Sequence, residues 1–122
     1  MKKLFVVSVA VLLIGLFSAF VVPSSEQLFT TSLRITVLDE LGNPQEGARV
    51  TLFGNEADYD AKTNPVQEAQ MTNAKGRVTI KGLEPTTYFV RVTKGDLNNI
   101  GLAVQTDTLK KNYQNRVNIV IE

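Results

Sequence analysis

The chain contains no histidine and no cysteine. Composition therefore removes the imidazole base and the thiol nucleophile together, which excludes serine–histidine and cysteine–histidine catalysis. Zinc loses its ordinary thiolate and imidazole ligands for the same reason. Carboxylates remain. The nearest pairs, Asp39-Glu40 and Asp58/Asp60, fall in stretches that read as exposed turns, where no burial would raise a pKa. The expectation is a protein with no catalytic residues.

Hard oxygen ligands are the second chemistry to weigh. Asn55-Glu56-Ala57-Asp58-Tyr59-Asp60 sets oxygens at alternate positions, as calcium prefers, so Glu56, Asp58 and Asp60 are the calcium candidates. Lys62 takes the next alternate position and the glycine of an EF-hand loop is missing. A solvated acidic loop is the simpler reading, and no cofactor is expected. Asp96, Asn98 and Asn99 offer similar oxygens with one charge among them. Aromatic rings supply the third chemistry, stacking on sugars. Tyr59, Phe89 and Tyr113 are the candidates, and there is no tryptophan. Together with Asp96, Asn98 and Asn99 they make the expected ligand or partner surface. A sheet edge or a second small core would instead bury Phe53 and Phe89.

Strands have to position these residues. Leu33, Ile35 and Val37 alternate with Arg34, Thr36 and Leu38, which gives a strand one core face. Asp39 to Pro44 is turn chemistry, with Gly42 suited to positive φ. Ala48, Val50 and Leu52 then alternate with Arg49, Thr51 and Phe53. Gly54 to Pro65 reads as a long polar loop, with a helical turn around Glu56 to Lys62 as the weaker alternative. Val66 to Thr72 is a weaker strand, and Asn73-Ala74-Lys75-Gly76 signals a tight hairpin into Arg77 to Lys81. Leu83 is expected to plug the core. Thr87 to Lys94 is the clearest strand, with Tyr88, Val90 and Val92 on one face and Phe89, Arg91 and Thr93 on the other. An exposed loop over 95–101, a short strand over Leu102 to Thr106 and a last strand over Arg116 to Glu122 complete the pattern. It predicts an all-β fold, a seven-stranded antiparallel Greek-key-type β-sandwich over residues 33–122.

The motif Val37-x-Asp39-x-x-Gly42-x-Pro44-x-x-Gly47-Ala48-x-Val50-x-Leu52 resembles the opening of carboxypeptidase-regulatory-like domains, which are transthyretin-like (prealbumin-like) β-sandwiches. Thr72-Asn73-x-x-Gly76-x-Val78-x-Ile80-x-Gly82-Leu83 and Tyr88-x-Val90-x-Val92 are similar to the second half of that pattern. The resemblance covers about Leu33 to Lys94. It departs at Pro85-Thr86-Thr87-Tyr88, where Pro-Gly is usual, and in the long Gly54 to Pro65 loop. The resemblance implies a fold and no peptidase activity. Some pilin-type sandwiches of similar appearance carry an internal Lys–Asn isopeptide bond. Leu33 to Leu38 holds no lysine and Asn118 has no partner for one, so that bond is not expected.

The N-terminus differs from the rest. Met1-Lys2-Lys3 precedes an uncharged apolar block from Leu4 to Val22, the pattern of a secretory signal. The block is also about as long as the roughly 20 residues that span a bilayer. Residues 1–24 are therefore read as a signal peptide or an N-terminal membrane anchor, and 25–32 as a linker. Either reading exports the domain to the periplasm, cell surface or medium, with membrane contact only through residues 4–22. Without Lys2 and Lys3, thirteen basic residues become eleven against twelve acidic, a net charge of −1. That balance gives no electrostatic ground for a nucleic-acid partner. The expected function is an exported, non-catalytic interaction or structural module of the cell envelope, its partner an envelope protein or a surface polysaccharide. The alternative is a carbohydrate-binding module of the starch-binding-like fold.

Overall fold

The computed structural model describes residues 30–122. The leader expected at residues 1–24 and residues 25–29 of the expected linker lie outside them. The elements follow in the order β1 (Ser32–Leu38), β2 (Arg49–Phe53), α1 (Glu56–Ala61), β3 (Gln70–Met71), β4 (Arg77–Ile80), β5 (Phe89–Lys94), β6 (Leu97–Asn98) and β7 (Gln114–Val120). β1 thus starts at the last residue assigned to the linker. Among the described residues no helix is long and apolar enough to cross a membrane.

Alternation builds the core. Leu33, Ile35 and Val37 of β1, Val50 and Leu52 of β2, Val78 and Ile80 of β4, and Val90 and Val92 of β5 are all buried. Ala48, Tyr88, Ile119 and Ile121 join them, and Leu83 closes the cluster from the β4–β5 connection as expected. β1, β2, β4 and β5 turn alternate side chains onto this core. One sheet has the order β4-β1-β7 and the other β3-β2-β5-β6. The all-β expectation holds as two sheets around a shared apolar layer.

Three expectations need correction. β7 runs parallel to β1, with Ser32 opposite Gln114 and Leu38 opposite Val120, so the sandwich is not antiparallel throughout. Parallel neighbours need a long connection; here β2 to β6 all lie between β1 and β7 in the chain, and residues 99–113 lead from the second sheet back to the first. The strand expected over Leu102 to Thr106 shrinks to one bridge, Phe89–Gln105, while Leu97–Asn98 pairs with β5 inside the expected loop. Asn99 is the reason. Its Oδ1 accepts from Val92 N–H at 3.0 Å and its Nδ2 donates to Val90 C=O at 2.8 Å. A side chain therefore takes the ladder positions that a strand backbone would have filled. Third, the Gly54 to Pro65 loop contains α1. The strand expected over Val66 to Thr72 is correspondingly reduced to Gln70–Met71.

The motif residues act on turns. Asp39 Oδ1 accepts from the backbone N–H groups of Leu41 and Asn43, both at 2.9 Å. Thr72 Oγ1 accepts from Ala48 N–H at 2.9 Å and donates to Gln45 C=O at 2.6 Å, stapling the entry to β2. Asn73 Oδ1 accepts from the N–H groups of Lys75 and Arg77, which shapes the predicted hairpin. Gly76 ends it at φ 72°. A Cβ there would lie 2.8 Å from Val37 O and 2.9 Å from Gln45 N, so backbone approach as well as handedness demands glycine.

Candidate functional site

The outer face of the four-stranded sheet carries the site. β2 and β5 are its interior strands, and their register pairs Arg49 with Thr93, Thr51 with Arg91 and Phe53 with Phe89. These are the outward-parity residues of both strands, so they line up as three cross-strand pairs on one surface.

α1 covers one end of that surface. Asn55 caps it: Oδ1 accepts from Asp58 N–H at 2.8 Å while Asp58 Oδ2 accepts from Asn55 Nδ2 at 3.0 Å. The helix buries Tyr59, whose ring meets Phe53 edge-on and Phe89 at a tilt, each with centroids 6.0 Å apart. Arg91 joins this second small core. Its guanidinium lies 4.3 Å from the centre of the Tyr59 ring, and its Nη2 donates to Tyr59 C=O at 2.6 Å. The cation is thereby fixed in direction. Its Nε is buried without a protein partner.

Beyond α1 the surface is open. A concavity of about 400 Å³ is lined by Arg49, Thr51, Lys62, Arg91, Thr93, Gly95, Leu97, Asn98 and Ile100. An adjoining hollow of about 240 Å³ shares Arg49, Thr51, Lys62 and Arg91. No Asp or Glu lines either. Lys62 reaches this place by an unusual backbone. As the C-cap of α1 it sits at φ 58°, ψ 39°, with its N–H donating to Asp58 C=O, a position that normally selects glycine or asparagine.

The residues predicted as a ligand or partner surface separate. Tyr59 is 7% exposed and Asn99 0%, so both are corrected to internal positions, one under the helix and one in the β5 ladder. Phe89 is half-buried against Tyr59, as a second small core requires. Tyr113 is 59% exposed, with Lys110 Nζ 5.6 Å from its ring centre, and lies with β7 away from the other rings. Asp96 is exposed, and Asn98 Oδ1 accepts from Ile100 N–H. Glu56, Asp58 and Asp60 were spaced for a loop. On a helix, alternate residues do not share a face. Asp58 also accepts from Asn55, Thr63 and Asn64. Among the described residues no group of three or more acidic side chains converges as a metal would require.

Sequence reasoning missed the cationic concavity. Its signal was present in the shared outward parity of Arg49, Thr51, Arg91 and Thr93, but nothing local says that β2 and β5 are neighbours.

Neither a protein-family model nor a curated protein matches the sequence. Among solved structures the chain is similar to the shaft pilin SpaA of Lactobacillus rhamnosus GG, at 15% identity and a TM-score of 0.52, over 75% of this chain and 49% of that one. It is also similar to a streptococcal ancillary pilin, at 15% identity and a TM-score of 0.52, over 78% of this chain and 30% of that one. The likeness is one of fold. The chain spans about half of the shaft pilin and less of the ancillary pilin. In this chain the inward positions of β1 are Leu33, Ile35 and Val37, and Asn118 is exposed, so no β1 lysine faces an asparagine of β7.

Proposed function

We propose that the protein is an exported, non-catalytic recognition module of the cell envelope, built on a carboxypeptidase-regulatory-like version of the transthyretin-like sandwich. The observation that carries this is the concavity on the four-stranded sheet. It offers cations, hydroxyls and an amide but no acid–base pair, in a chain without histidine or cysteine. Such a surface can hold a ligand and has no group to turn it over. Export rests on the basic start and apolar block before residue 24, acting as signal peptide or anchor. The pilin-domain fold supports an envelope setting, with an envelope protein or polysaccharide as partner. The reading needs no cofactor and no nucleic acid.

Cell fractionation with crosslinking of the full chain tests it. The expected result is recovery in the envelope or medium, coupled to an envelope component that is bound and released unchanged. Recovery in the cytosol, or conversion of the captured component, would overturn the reading.

A further inference from the structure

The concavity has a sign. Arg49, Lys62 and Arg91 converge on it from β2, the end of α1 and β5, with no carboxylate in its lining. The whole chain is nearly balanced, at thirteen basic and twelve acidic residues, so this is a local segregation of charge and not the reflection of a basic protein. Such grouping raises the local concentration of anions. Arg91 is already oriented by the Tyr59 ring and carbonyl, so little freedom is lost when it binds. Lys62 is held at the rim by a left-handed backbone, a strain of the kind that collects at binding sites.

The rest of the lining narrows the ligand. The floor is made by β2 and β5, the two interior strands of the sheet. A peptide strand adds at a sheet edge, whereas this concavity opens on the sheet face. What faces outward is side-chain chemistry: the Thr51 and Thr93 hydroxyls and the Asn98 amide beside the three cations. Hydroxyls and amides both donate and accept, as a sugar ring requires, while arginine matches carboxylate and phosphate. The rings of Phe53 and Tyr59 are buried, so ring stacking is not on offer; Leu97 and Ile100 are the apolar part of the lining, and the three cations are its charged part. A volume of about 400 Å³ lies within the usual range for a small-ligand site.

We propose that this concavity binds an acidic saccharide, its carboxylate or phosphate held by Arg49, Lys62 and Arg91 and its hydroxyls by Thr51, Thr93 and Asn98. This rests on the recognition-module reading above and names its ligand.

The test is titration calorimetry of the full chain in neutral detergent against trigalacturonate, glucose 6-phosphate, maltotriose and a polyglutamate peptide. At least one of the two acidic sugars is expected to bind, and which of them does so distinguishes carboxylate from phosphate. Maltotriose is expected not to bind. Arg49→Gln and Lys62→Gln should each weaken binding about tenfold, as for loss of a charge-assisted contact, and added salt should weaken it further. Both side chains are exposed, so the variants should keep the parent melting temperature. Indifference to R49Q and K62Q, equal binding of maltotriose, polyglutamate bound as tightly through the same residues, or binding of none of the four would overturn the proposal. Those results leave the module reading standing, whereas a cytosolic location would remove that reading without altering the calorimetry.

Discussion

Asp39 shows how much one exposed side chain can organise. Its carboxylate gathers the N–H groups of Leu41 and Asn43 together with the side-chain amides of Asn43 and Gln45. The backbone hydrogen bond from Asn43 is the largest cause that lowers its pKa below the ordinary carboxylate value, the bonds from Leu41 and Gly42 adding to it. The folded state therefore prefers the charged form. The stability it contributes is complete above the unfolded pKa and is lost as pH falls through the lowered folded one. Asp39→Asn should be less stable than the parent at neutral pH, with the gap closing in acid. Urea unfolding across a pH series checks this, and a gap independent of pH would mean that the charge is not what holds the turn. The role was readable in advance, because Asp, Gly and Pro at these spacings have few uses besides a turn.

At the scale of elements, α1 is the feature the pattern offered only as the weaker alternative. Glu56–Ala61 is far below the length at which a helix is stable alone. It exists because Asn55 caps it and because Tyr59 finds Phe53, Phe89 and Arg91 beneath. Two of those partners lie on another strand, beyond any local window. The six-residue helix also creates the concavity, since it covers only one end of the outer sheet face and sets Lys62 over the other. Lys62→Gly should raise stability by up to about 1 kcal/mol by relieving the left-handed lysine, while it weakens anion binding. Melting temperature and calorimetry on the same variant test the two halves. A variant that loses stability would show that the lysine side chain contributes more to the fold than its backbone costs.

For the molecule as a whole, the decisive contact is β7 beside β1. β1 lies between β4 and β7 in its sheet, and the parallel pairing brings the last strand back against the first. Ile119 and Ile121, at 3% and 0% exposure, enter the core this way, and Glu122 N–H reaches across to Asn98 C=O at 3.0 Å. Losing each buried isoleucine costs about 2–5 kcal/mol, against a typical total stability of about 5–15 kcal/mol. Truncation after Tyr113 should therefore abolish cooperative unfolding. A truncated chain that still melts in a single sharp transition, followed by circular dichroism, would place the core elsewhere.

Period-two alternation, glycine at positive φ, the Asp39 turn and the Asn73–Gly76 hairpin are short-range properties, and they were legible residue by residue. So was the absence of an imidazole and of a thiol, which is a matter of composition. The inward faces of β1, β2 and β5 followed, because a strand must put alternate side chains on opposite sides whatever it pairs with. Strand direction, the helix over Phe53, the ladder role of Asn99 and the meeting of Arg49, Lys62 and Arg91 were not legible. Each depends on which segments become neighbours across dozens of residues, and that is chosen by the packing of the whole core.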